Sequence, residues 1–161
     1  MNRTFQEMLD EFRTYRKHYV FQSLFATLSL FVILLFLDIS HVVISASIGA
    51  TAFIVFAMPK SVTARPRNVI GGHLTGFCCG WLCSLCPDSL HFFTIAGYAF
   101  AVGLSIFLMV VFDMEHPPAS GTALGVAMSG YSPSVVIALL TASLILSLIH
   151  VVFKKQIRNL I

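Results

Sequence analysis

Between two apolar runs the chain reads Asp113-Met114-Glu115-His116-Pro117-Pro118-Ala119-Ser120-Gly121-Thr122-Ala123, which sets an imidazole, two carboxylates and two hydroxyls around paired prolines. Proline lacks a backbone N–H and disfavours the α region for the residue before it. Glu115, His116 and Pro117 are therefore expected to be extended or turned, and Pro118 to open a helix. Ser120, Gly121 and Thr122 then fall in the first turn, where free N–H groups and the positive end of the helix dipole suit an anion. A second stretch, Ser47-Ile48-Gly49-Ala50-Thr51, carries the same small and hydroxyl residues behind the β-branched run Val42-Val43-Ile44. If residues 42 to 46 are extended, that helix begins near Ser47, part-way into a bilayer. Each helix start presents roughly +0.5 of a charge, so two facing each other sum to about +1 and suit a small monovalent anion near the midplane. Ser47, Gly49, Ala50, Thr51, His116, Ser120, Gly121 and Thr122 are the candidate binding residues.

Around them stand Arg65, Arg67, Asn68, His73, Asp113 and Glu115 as candidate vestibule or gating residues. His116 either carries a proton or gates, or else satisfies backbone groups that the prolines leave free. Asp113 and Glu115 are poor anion ligands and read better as partners for Arg65, Arg67 or Lys60. Arg65 and Arg67 either concentrate anions or set topology, and His73 is either functional or an interface residue. Cys78, Cys79, Cys83 and Cys86 sit on one apolar helix, which cannot wrap a metal, so no metal site is expected. Cys83 and Cys86 form a C-x-x-C pair, which leaves a membrane thiol-disulfide oxidoreductase as one alternative function; a non-transporting structural membrane subunit is the other. No nucleophile, base and orienter converge, so neither enzyme chemistry nor a cofactor is expected otherwise.

These residues need a membrane scaffold. The chain has 161 residues, 57% hydrophobic and 11% charged, and a mean hydropathy of +0.87, too apolar for a water-soluble domain. Such a composition predicts an all-α integral membrane protein. Residues 1–18 place Phe5, Met8, Leu9 and Phe12 at helical spacing among bases, as in an amphipathic helix lying in the headgroup layer or packed as a cap. Acidic residues among those bases argue against a cleaved signal peptide. A single transmembrane domain follows over 19–153, then a basic tail over 154–161. Tyr19–Leu37, 71–86, Phe92–Phe112 and Ser134–Phe153 read as full spans. The segments near Ser47 and Pro118 are short or broken. Counting both as crossings gives about six. The ten Lys and Arg then face the cytoplasm, in the N-terminal helix, the 60–68 loop and the tail. The net charge of +3 follows from that topology and implies no nucleic acid. The expected location is the cell (inner) membrane, with both termini cytoplasmic.

Gly49-Ala50-Thr51-Ala52-Phe53 resembles Ser120-Gly121-Thr122-Ala123-Leu124. The two fall in crossings two and five, so residues 19–86 and 92–153 would be inverted three-segment repeats. Short interrupted segments in matching places of inverted halves point to a transport site. Gly72, Gly76 and Gly80 recur every fourth residue, a stripe that lets another backbone approach closely. A homo-oligomer packed through that stripe or through the outer spans is expected.

Glu115-His116-Pro117-Pro118-Ala119, with Gly121-Thr122-Ala123-Leu124, Gly49-Ala50-Thr51-Ala52, Ala57-Met58-Pro59 and Pro66-Arg67-Asn68-Val69-Ile70-Gly71-Gly72-His73, resembles the HPP family of integral membrane proteins. The resemblance covers roughly residues 37–141. Members of that family are implicated in nitrite transport, so the resemblance implies nitrite or a similar small anion as substrate. It also implies signature positions at Gly49–Thr51, Pro66–His73 and His116–Thr122.

Overall fold

The computed structural model describes residues 4–36, 42–86 and 91–160. Their order is α1 (Phe5–Phe36), α2 (Val42–Ala57), a 3₁₀ turn (Val62–Ala64), α3 (Pro66–Ser84), α4 (His91–Val111), α5 (Pro118–Ser129) and α6 (Pro133–Phe153), with no strand among the described residues. The helices α1, α4 and α6 are long and apolar enough to cross a membrane, and α2 is a shorter apolar helix. Their outer faces expose Leu24, Phe31, Phe100, Phe107, Leu144 and Leu148, as contact with lipid tails requires. Prolines open α3, α5 and α6 at a position where the missing N–H costs no helical bond. The expected breaks at Asp38–His41 and Pro87–Leu90 lie outside the described residues.

The helix expected over 1–18 and the first span are one element. The helix α1 runs across the boundary at residue 18 with a single non-helical residue, Tyr15 (φ −112°, ψ 15°). The α3 helix begins at Pro66, five residues before the glycine pair, so Arg67 and Asn68 are in its first turn.

A larger correction concerns α2. It is helical from Val42, so Ser47 and Thr51 lie in mid-helix and there is no half-helix beginning near Ser47. The β-branched run was expected to resist winding. That preference is small, however, whereas an unpaired amide in hydrocarbon costs several kcal/mol, so the segment winds. At 12 residues, about 18 Å, α5 is short as expected and starts at Pro118.

Gly72, Gly76 and Gly80 face α5 of the same chain, so the expectation that this stripe joins two copies is overturned. A Cβ on Gly76 would overlap the Ala119 carbonyl, one on Gly80 the Ala123 carbonyl, and one on Gly72 would lie 2.6 Å from His116 Cβ. A helix that crosses only part of the bilayer gains stability by pressing its backbone into such a trough. Below it, Ile44, Ile48, Val55, Val69, Val126, Leu139 and Leu146 form the core between α2, α3, α5 and α6.

Residues 57–67, 112–118 and 150–160 gather at one end. Leu160 N–H donates to the Ala57 carbonyl (2.9 Å), and Arg67 Nη2 to the Phe112 carbonyl (2.9 Å). There Gln22 of α1 donates to the carbonyls of Phe56 (2.5 Å) and Arg158 (2.8 Å) and accepts from Arg158 N–H (3.0 Å). The Arg158 guanidinium lies 3.6 Å from the centre of the Tyr15 ring, at the kink.

Candidate functional site

The stretch from Phe112 to Pro118 is set by backbone chemistry before any side chain acts. Helix α4 closes with Asp113 in the left-handed region (φ 55°). Its N–H donates to the Val110 carbonyl (3.2 Å), and Met114 N–H to the Met109 carbonyl (2.8 Å). This is the Schellman arrangement with Asp in the place glycine usually takes. Asp113 Oδ2 lies 3.4 Å from Arg67 Nη1, and both side chains are exposed. Asn68, buried in the first turn of α3, donates to the Glu115 carbonyl (3.2 Å). The chain is thus pinned on both sides of His116.

Five polar side chains then meet in the interior: Ser47 and Thr51 from α2, His73 from α3, His116 from the break and Thr122 from α5. All are buried. Ser47 Oγ donates to the Pro118 carbonyl (2.5 Å) and lies 2.9 Å from Thr122 Oγ1. Thr122 Oγ1 is 2.9 Å from His73 Nδ1. Thr51 Oγ1 stands between the imidazoles, 2.9 Å from His73 Nε2 and 2.9 Å from His116 Nε2. It also donates to the Ser47 carbonyl (3.0 Å). His116 Nδ1 donates to the Thr63 carbonyl at 2.8 Å, and the two rings are 5.0 Å apart. Every member is buried and bonded, as polar groups in an apolar interior must be. Thr51 is six residues from the end of α2 and His73 seven from the start of α3. At 1.5 Å per residue both place the cluster about 10 Å in from the end that carries the basic loop.

The helix starts do not supply the donors. Pro117 and Pro118 have no N–H, Ala119 N–H donates to the His116 carbonyl (2.9 Å) and Ser120 N–H to the Pro117 carbonyl (3.1 Å). The first turn of α5 therefore closes on itself. With α2 wound through Ser47, the expected pair of facing amide ends is overturned, and hydroxyls and imidazoles are the polar groups of this site.

Of the candidate binding residues, Ser47, Thr51, His116 and Thr122 come together. Gly121 lies against Ser47. Gly49 has open space beside it, and Ala50 is exposed on another face of α2. The Ser120 hydroxyl turns back to the Pro117 carbonyl (2.7 Å). It lines a groove of about 250 Å³ with Ile106, Met109, Val110, Glu115, His116 and Pro117. Arg65 is exposed where α3 begins, and Arg67 pairs with Asp113. His73, placed in the vestibule from sequence, is instead at the heart of the cluster. The Thr63 and Pro118 carbonyls were not foreseen. For His73 a signal existed: it lies on the helical face of Val69, Gly72, Gly76 and Gly80, all buried.

Cys78, Cys79, Cys83 and Cys86 are free thiols. Cys83 and Cys86 border a cavity of about 470 Å³ at the other end, with Phe93, Tyr98 and Met128. Among the described residues no group of three or more His, Cys, Asp or Glu could hold a metal.

Comparison with known proteins gives this arrangement a setting. A family model described as "HPP, transmembrane region" matches residues 12–159. Two proteins of Dictyostelium discoideum, each named only as a transmembrane protein, are similar. One is 38% identical over 88 residues, 55% of this chain and 31% of the relative. The other is 35% identical over 83 residues, 52% of this chain and 27% of the relative. The matched stretch thus covers less than a third of either relative. No solved structure matches.

Proposed function

The chain belongs to the HPP transmembrane family, and from that premise we propose that it transports a small monovalent anion, nitrite or one of similar size, through the region around His116. The observation that carries this reading is the buried cluster of Ser47, Thr51, His73, His116 and Thr122 inside an apolar helical membrane fold. Buried polar groups in such a fold are expensive and mark substrate pathways. Among the described residues the cluster contains no carboxylate to repel an anion and no Lys or Arg to trap one. Hydroxyl and imidazole N–H groups exchange their internal bonds for bonds to a passing anion, and the groove beside Glu115 and Ser120 supplies the approach.

The two halves are read as inverted repeats, α1–α3 and α4–α6. Support comes from Ser47 of the second helix meeting Thr122 of the fifth, and from Thr51 and Thr122 each bonding to a ring nitrogen of His73. The protein is placed in the cell (inner) membrane with the basic loop cytoplasmic, on the charge distribution alone. It is read as a homo-oligomer joined through its outer helices, since α5 fills the glycine stripe. No enzymatic activity is proposed. Flux of nitrite, nitrate, formate and chloride into proteoliposomes tests transport: saturable uptake of at least one is expected, and uptake no faster than in protein-free vesicles for all four refutes it.

A further inference from the structure

Seven contacts at hydrogen-bonding distance hold the cluster: Ser47 Oγ to the Pro118 carbonyl and to Thr122, Thr122 to His73 Nδ1, Thr51 to His73 Nε2, to His116 Nε2 and to the Ser47 carbonyl, and His116 Nδ1 to the Thr63 carbonyl. Each needs one hydrogen. Three hydroxyls and two neutral imidazoles together own five.

Part of the shortage falls at Thr51. Carbonyl oxygens only accept, so His116 gives the hydrogen on Nδ1 to Thr63, which leaves its Nε2 an acceptor. Thr51 then has one hydrogen for two acceptors, the Ser47 carbonyl and His116 Nε2, whichever tautomer His73 holds. A proton on His116 Nε2 ends that competition: it makes a charge-assisted hydrogen bond to Thr51 Oγ1, and the Thr51 hydrogen goes to the Ser47 carbonyl.

We propose that the His73–Thr51–His116 bridge is a proton-binding site that takes up one proton with each anion bound, so that anion and proton move together. This rests on the transport reading above. The other charged and titratable groups around the cluster leave the added charge without a partner. The helices α2 and α5 contribute none. On α3, Arg67 is paired with Asp113 at the exposed end and the thiols lie more than one turn beyond His73. On α6, His150 Nε2 donates to the Pro59 carbonyl (2.8 Å). Arg65 is exposed, and Glu115 lines the groove outside His116. With no carboxylate inside, the positive charge is balanced by the anion, and the anion by the charge. Each makes the other's binding favourable. The proton enters from water along the groove past Glu115, binds at Nε2 and leaves with the anion.

The test uses full-length protein in detergent, in weakly buffered solution with a pH indicator, titrated with sodium nitrite. Uptake of one proton per nitrite bound is expected, retained in Thr51→Ser and lost in Thr51→Val. In proteoliposomes at clamped voltage, uptake corrected for protein-free vesicles should ignore the potential and reach about tenfold accumulation per unit of imposed pH difference. Nitrite that binds without proton uptake, or a flux that follows voltage and ignores the pH difference, overturns this inference and leaves transport standing. Absence of binding and of flux for nitrite, nitrate, formate and chloride alike removes both.

Discussion

Gly76→Ala tests how the cluster is positioned. The added methyl group would overlap the Ala119 carbonyl, part of the α5 backbone, so no side chain can rotate aside. Restoring ordinary van der Waals separation requires α5 to move about 1 Å from α3. The His73–Thr122 bond joins those helices at 2.9 Å, and a shift of that size carries it beyond hydrogen-bonding distance. Overpacking costs about 1–3 kcal/mol and the lost bond about 1 kcal/mol. Replacing glycine in a helix returns about 1 kcal/mol. A net loss of about 1–3 kcal/mol remains, lowering the melting temperature in detergent by about 2–12 °C, with anion flux falling at least tenfold. Gly103→Ala on α4, where nothing lies within 4 Å, is the matched control and should keep or raise the melting temperature. Unchanged stability and flux in Gly76→Ala, or an equal loss in Gly103→Ala, would refute the view that the stripe sets the site from within one chain.

Thr122→Val removes the hydroxyl that joins Ser47 to His73 and should cost about 1–3 kcal/mol and most of the flux, with Thr122→Ser restoring both, as read by thermal unfolding and proteoliposome uptake. Gln22→Leu deletes the bonds to Phe56 and Arg158 and should raise amide hydrogen exchange over residues 156–160 at least tenfold, since even 1.4 kcal/mol of lost protection gives that factor. The double substitution Cys83→Ser and Cys86→Ser should leave flux unchanged, because the thiols are at the end away from the cluster; loss of flux would favour the thiol-disulfide alternative. Arg67→Ala breaks an exposed pair and should cost less than about 1 kcal/mol of stability, with any fall in uptake rate confined to low salt.

What could be read from residue types alone was whatever proline, charge and hydropathy dictate. The break before α5, its start at Pro118 and the long apolar helices α1, α4 and α6 follow from a missing N–H and from the thickness of hydrocarbon, whereas α3, which holds the span expected over 71–86, is not among the helices apolar enough to count with them. The start of α2 did not, because local β-branched preference is weak beside the cost of an unpaired amide in lipid. The amide anion site failed for a related reason: Pro117 and Pro118 start the helix but also remove two of its donors. His73 was placed too far out because its partners, Thr51 and Thr122, lie 22 and 49 residues away, and no local pattern joins them. The glycine stripe correctly signalled a close backbone but not whose.

The Gln22 clamp has a bearing on assembly. Its partners are the last turn of α2 and residue 158, which leaves the ribosome only after α2 to α6 have been made. The clamp on α1 therefore closes in two stages, first on α2 and only after α6 on residue 158. A nascent chain halted after α6 would keep the bond from Gln22 to Phe56 and lack the two to residue 158, a formed interior behind a half-latched door.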